Sequence, residues 1–243
     1  MTKLKYPRLD KFVLRISYNK IEEPTIQKVT KISEKLGDLG YPEPTTIRLI
    51  SSRVMEQQIS FSPLTFKSES KDNAILIYSD SILFEYNDKY TSWHEIFPKI
   101  LQISQMIFND LKIKDIIRIS LDYIDIFTFD RENFRLNENF EMKLKHPNDY
   151  MIGFEDFIIG LNFKTDIEGA TSILRLRGVT PKNEDEYTIR LETHFNINEN
   201  LKYPEEFESI KKNLDIAHQK LILLFKDFLT EKTKSMVGLF DDS

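Results

Sequence analysis

Ile116-Ile117-Arg118-Ile119-Ser120-Leu121-Asp122-Tyr123-Ile124-Asp125-Ile126-Phe127 alternates apolar and polar side chains with period two. Ile117, Ile119, Leu121 and Tyr123 fall on one face; Arg118, Ser120 and Asp122 fall on the other, which Ile124 and Ile126 turn apolar near its end. Alternation enriched in β-branched residues predicts a long strand with one buried face. The run follows an amphipathic helix pattern and opens a second series of strand patterns. It therefore reads as the joint between two similarly ordered halves, residues 1–112 and 113–243.

Upstream of the joint, Phe12–Tyr18 predicts a first strand, and Glu22-Glu23-Pro24 a helix start in which acids suit the positive end of the helix dipole. Ile26, Val29, Ile32 and Leu36 form its buried stripe, and Gly37 and Gly40 bracket its end. A meander follows at residues 46–50, 55–61, 74–78 and 81–86, with Ser79-Asp80 as a two-residue hairpin turn and the polar segment 62–73 as a longer loop. Ser92 and Glu95 make a capping box, and Ile96, Ile100, Ile103 and Ile107 carry the apolar stripe of the next helix to about residue 110. Pro98 falls early enough in this helix to distort its start without breaking it.

Downstream, residues 137–145 predict a short helix, and 156–163, 172–177 and 186–195 predict strands. Pro204-Glu205-Glu206 opens the longest helix, 205–229, in which Phe207, Ile210, Leu214, Ala217, Leu221, Leu224 and Phe228 make one stripe, suited to packing across a sheet or, as the alternative, to a coiled-coil seam. The acidic tail from Thr230 is expected to fray. Each half thus runs strand, helix, antiparallel meander, long helix. This is the order of the helix-on-curved-sheet group, which includes the TATA-binding-protein-like fold and the helix-grip domains. By analogy the expected fold is α+β, with two such repeats sharing one curved antiparallel sheet and helices on one face.

Composition narrows the chemistry. A 243-residue chain with 40% hydrophobic residues has ample material for a core, and its net charge of −5 gives no general pull toward nucleic acid or anionic membrane. The chain has no cysteine, which excludes disulfides, thiolate metal sites and cysteine nucleophiles. The start of the chain lacks an apolar leader pattern and no stretch is long and apolar enough to span a bilayer, so a soluble cytoplasmic protein is expected. No Gly-x-Ser-x-Gly elbow or phosphate-binding glycine loop occurs. His94-Glu95 does not begin a zinc motif, because position 98 is proline, and none of His94, His146, His194 and His218 is spaced four residues from another. Asp122 with Glu141-Met142-Lys143 superficially resembles the Asp…Glu-x-Lys arrangement in which two acids hold a divalent metal and a lysine steadies the attacking water. Glu-x-Lys arises readily by chance in a chain with 30% charged residues, however, and Glu141 falls in the expected helix, not a strand. Asp122 and Asp125 fall on opposite strand faces and make no acid–base pair.

Three segments resemble a sporadically distributed family of uncharacterised prokaryotic proteins of about this length. Ser92-Trp93-His94-Glu95-Ile96-Phe97-Pro98 is similar to that family's Ser-Trp-Glu-Glu-Phe-x-Pro helix start, and Arg118-Ile119-Ser120-Leu121-Asp122-Tyr123-Ile124-Asp125 to its Arg-Ile-Gly-Leu-Arg-Tyr-Ile-Asn strand. Ala217-His218, Phe225 and Thr230-Glu231-Lys232 resemble its final helix. The resemblance implies no reaction; the family's patchy occurrence implies a mobile, phage-defence or toxin-linked setting.

The strand patterns also place Arg175 with Arg177, and Arg190 with Glu192 and His194, on polar faces; Arg48 and Glu56 sit similarly in the first half. Cross-strand ion pairs on a wet face would explain each residue singly, at roughly 0.2–1 kcal/mol per pair. Together, Arg48, Arg175, Arg177, Arg190 and His194 form a candidate recognition surface. The expectation is a non-enzymatic recognition or assembly module without a cofactor. Its partner is another protein, or a second copy met through the C-terminal helix, and no membrane. The competing readings are a metal-dependent nuclease or other hydrolase and a nucleic-acid-binding protein.

Overall fold

The structure is a computed structural model, and it describes residues 8–22, 24–42, 44, 63–70, 72–87, 92–142, 157–180 and 183–237. The expected strands at 46–50 and 55–61 lie outside these residues. Along the chain come β1 (Arg8–Tyr18), α1 (Ile26–Gly37), β2 (Leu64–Lys67), β3 (Asn73–Ile77), β4 (Ser81–Asn87) and α2 (Trp93–Leu111). Then follow β5 (Asp115–Asp130), α3 (Leu136–Asn139), β6 (Ile158–Lys164), β7 (Ala170–Val179), β8 (Glu186–Lys202), α4 (Phe207–Phe228) and α5 (Glu231–Val237). All eight strands form one open antiparallel sheet in the order β2-β3-β4-β1-β5-β8-β7-β6. The protein is α+β, and the sheet runs unbroken across the expected boundary at residues 112 and 113, because β1 pairs directly with β5.

The alternation in β5 decides which face is buried. Phe12 pairs with Tyr123, Leu14 with Leu121, and Leu121 with Phe195, so these side chains share one face. On that face they join Phe84 of β4, Ile32 of α1, Ile103 of α2 and Leu214 of α4 in one core. A second cluster continues it: Phe127, Leu174, Leu176 and Leu191 meet Phe140 after α3, Phe228 of α4 and Val237 of α5. Each fully buried Leu, Ile or Phe contributes about 1.5–3 kcal/mol relative to exposure. The helices therefore lie on one side of the sheet, and no described helix covers the other.

Local chemistry explains the elements. The Ser92 hydroxyl accepts the Glu95 backbone N–H at 3.2 Å and caps α2, which continues through Pro98. Tyr78 N–H to Ser81 O closes the Ser79-Asp80 turn at 2.8 Å. α2 and α4 lie antiparallel. At one end the Trp93 ring stacks on His218 at 4.5 Å and its Nε1 donates to Asp215 at 3.1 Å; at the other the Tyr203 hydroxyl donates to Asn109 Oδ1 at 3.0 Å. Among the described residues, no helix is long and apolar enough to cross a membrane.

Several expectations need correcting. Ile117 does not share the buried face: the register shifts between Ile116 and Arg118, which turns Ile116 inward and leaves Ile117 exposed. The segment 62–73 contains β2, whose Leu64 and Phe66 are wholly buried against the first core. α1 begins after Thr25, whose hydroxyl accepts the Lys28 N–H, so Pro24 precedes the cap. The helix expected at 137–145 is a single turn, Leu136–Asn139, and residues 143–156 lie outside the described set. The chain after Leu229 does not fray at once. It forms α5, held by buried Thr233 and Val237 and by Lys232 pairing with Glu138.

Candidate recognition face

The uncovered face is built by the strand positions that alternate with the core. Across β1, β5, β8 and β7 one row reads Val13, Asp122, His194, Ile173 and the next Lys11, Ile124, Glu192, Arg175. A third row sets Ile126 beside Arg190 and Arg177. Between these rows lies a cavity of about 260 Å³ lined by Val13, Asp122, Ile124, Ile173, Arg175, Glu192, Thr193 and His194. Its walls are aliphatic and its rim is ionic.

Glu192 is the hub. Its carboxylate lies 2.7 Å from Arg190 Nε, 3.4 Å from Arg177 Nη2 and 3.9 Å from Arg175 Nη1. One negative charge thus faces three guanidinium groups. Arg190 Nε, though close, does not aim its hydrogen at the carboxylate, and Arg177 Nε has no hydrogen-bond partner. The Arg175 side chain remains 60% exposed. Opposite it on β6 stands Gly160, where an added Cβ would meet nothing within 4 Å.

Asp122 and His194 form the other rim. Burial lowers the His194 pKa below the usual imidazole range, against a hydrogen bond with Asn196 that raises it, and Arg118 lowers it further. Its Nδ1 is hydrogen-bonded to the Asp122 carboxylate and its Nε2 to the Asn196 side-chain amide. The Ser120 hydroxyl donates to Asn196 Oδ1 at 2.6 Å, and Arg118 Nε donates to Asn198 Oδ1 at 2.8 Å. This chain of bonds fixes the ring and occupies both its nitrogens.

Of the sequence-derived candidates, Arg175, Arg177, Arg190 and His194 are brought onto one face around Glu192, while Arg48 and Glu56 lie outside the described residues. Asp122 and Glu141 are not brought together. Asp122 lies on the uncovered face, whereas Glu141 follows Phe140 on the helix side and its N–H donates to Phe228 O. Lys143 and His146 lie outside the described residues. Among the described residues no group of three or more His, Asp or Glu side chains is placed to hold a metal ion.

The helix side also carries buried polar groups. Asp125 lies between the two core clusters at 6% exposure; burial first, and Asp10 second, push its carboxyl up to about 8. Nearby, Tyr123 Oη and His218 Nδ1 share a 2.6 Å hydrogen bond under the Trp93 ring, and burial lowers the His218 pKa. Asp125 stands at a core position of the alternation, two residues from Tyr123 and Phe127, which was the signal available for it.

Compared with known proteins, the chain matches no protein-family model and no curated sequence.

Proposed function

We propose that the protein is a non-enzymatic recognition or assembly module that binds its partner on the uncovered face of the sheet. The observation that carries this reading is the concentration of cations there in a chain of net charge −5. Between the Arg118 and Arg190 rows, Lys11 and Arg15 on β1, Lys67 on β2, and Arg118, Lys164, Arg175, Arg177 and Arg190 on the second half of the sheet share this face. Among the described strand residues between those rows, the acids on it are Glu85, Asp122 and Glu192. A sheet twisted by this many strands presents such a face as a broad platform.

The strand order supports a finer reading, in which β2-β3-β4-β1 and β6-β7-β8-β5 are two repeats of one unit joined at β1 and β5, in the manner of the TATA-binding-protein-like and helix-grip folds. An experimental structure in which residues 8–111 and 115–237 fail to superpose strand for strand would remove that reading. The resemblance of three segments to a sporadic prokaryotic family supports a cytoplasmic, defence or toxin-linked setting. α4 offers a second contact surface, since Leu223 is 54% exposed on its outer side. A nucleic-acid partner is the second reading, favoured by the same cations.

The test is purification of the tagged protein from its native host, with mass spectrometry and nucleic-acid extraction of whatever accompanies it, beside an Arg175→Glu/Arg177→Glu variant. A stoichiometric companion that the variant loses is the expected result. A companion retained equally by the variant refutes the uncovered face as the binding surface, and turnover of added nucleic acid with divalent metal refutes the non-enzymatic reading.

A further inference from the structure

We infer that the uncovered face docks an acidic polypeptide segment of a partner protein, seating a partner carboxylate on Arg175, Arg177 and Arg190 and an apolar partner side chain over Ile124 and Ile173. The inference rests on the reading of this face as the recognition surface and adds the chemistry of the partner. Three guanidinium groups converge on the single carboxylate of Glu192. A second carboxylate there would meet two charges that no described acid balances. Planar guanidinium forks bind carboxylates through paired N–H donors, a geometry that gives direction as well as charge complementarity.

The rest of the face discriminates between polyanions. The face-lining positions of β1, β5, β7, β8 and β6 carry no Phe, Tyr or Trp from Lys11 to Ser17, Arg118 to Thr128, Thr171 to Val179, Arg190 to Asn198 and Ile158 to Lys164. Unstacked bases need such rings as platforms. His194 is a poor substitute, because its ring is largely buried. A nucleic-acid backbone would also meet Asp122 and Glu192 at the centre of the surface. Val13, Ile124 and Ile173 line the cavity instead, and its volume of about 260 Å³ suits a side chain better than a nucleotide. Alternating acid and aliphatic side chains on a partner segment match this pattern of cation and aliphatic wall.

The experiment uses the full chain and fluorescence anisotropy with four labelled probes: a short peptide alternating glutamate and leucine, its lysine–leucine counterpart, a short oligothymidylate and a short DNA duplex. The glutamate–leucine peptide is expected to bind at least about tenfold more tightly than the other three and to weaken at ~0.3 M salt. Arg175→Glu/Arg177→Glu should lose this binding by about tenfold or more, Arg175→Gln should lose less, and Lys211→Glu, on the exposed outer side of α4, should leave it unchanged. Urea unfolding of each variant establishes that it is folded. Tighter binding of either nucleic acid, with the same sensitivity to Arg175→Glu/Arg177→Glu, overturns the acidic-peptide partner while sparing the recognition face. Binding of no probe, or binding indifferent to that variant, overturns both.

Discussion

The two faces of the sheet come from the same eight strands and differ by one step of a two-residue alternation. On the helix side, Phe12, Leu121 and Phe195 stack in register and are at most 1% exposed. On the other side, Val13, Asp122 and His194 stand in the same ladder and remain open around a cavity. The buried face holds the fold together through area removed from water. The uncovered face carries charge that the fold does not require, because exposed ion pairs contribute little, roughly 0–1 kcal/mol each. The proposed binding role is what would account for cations concentrated on this face of an otherwise acidic chain.

The contrast can be broken most severely from the core side. Leu121→Ala, at a wholly buried position shared by β1, β5 and β8, is expected to cost about 2–5 kcal/mol in urea unfolding. A cost below about 1 kcal/mol would mean that the helix side is not close-packed there.

Asp125 sharpens the comparison, because it places a carboxyl on the wrong face. Its folded pKa of about 8 lies above the unfolded value of 3.8, so the folded state holds a proton that the unfolded chain releases. The stability this contributes is complete below pH 3.8 and is lost as pH rises through about 8. Asp125→Asn removes the titration. Its unfolding free energy should therefore gain on that of wild type as pH rises from 5 to 8.5, by as much as a few kcal/mol. A constant difference across that range would show that Asp125 ionises normally.

The Trp93, Tyr123 and His218 contact gives a smaller effect. Tyr123→Phe removes one part-buried hydrogen bond and should cost about 1 kcal/mol. His218 titrates in the opposite sense to Asp125. Its folded pKa is depressed by burial, so stability is present above the unfolded imidazole value and falls as pH drops through the folded one. A His218→Gln variant that shows the same acid-side loss as wild type would contradict this.

Smallest of all, Arg175→Ala should change stability by less than about 0.5 kcal/mol, since its contact with Glu192 is 3.9 Å long and its side chain largely exposed. The account predicts that the same substitution weakens partner binding measurably. Separation of stability from binding in this variant would distinguish the two faces.

Much of this was legible in the sequence, for local reasons. The alternation of Ile119, Leu121 and Tyr123 against Ser120 and Asp122 is a property of neighbouring residues, and so is the pairing of Ser92 with Glu95 at the start of α2. What was hidden depends on distant partners. The register shift that exposes Ile117 is set by where β8 runs alongside, and nothing in Ile116-Ile117 marks it. Leu64-Thr65-Phe66-Lys67 is too short to declare a strand until β3 lies beside it, and α5 follows Leu229 because Phe140 bridges to that residue. The spacing of Arg175 and Arg177 put them on one face; that Glu192 and Arg190 lie opposite them follows from the pairing of β7 with β8. The burial of Asp125 likewise needed the layer above it.

Attachment of a photoreactive group at chosen positions tests the central claim most directly, and the absence of native cysteine allows it at single introduced thiols. Benzophenone-maleimide is placed on Ile173→Cys, at the cavity of the uncovered face, or on Leu223→Cys, on the outer side of α4, and irradiated in host extract. Ile173→Cys is expected to yield a discrete protein adduct whose cross-linked peptide is rich in Asp or Glu, and this adduct should be lost when Arg175→Glu/Arg177→Glu is added. An adduct formed from Leu223→Cys alone would contradict the account and move recognition to the helical side.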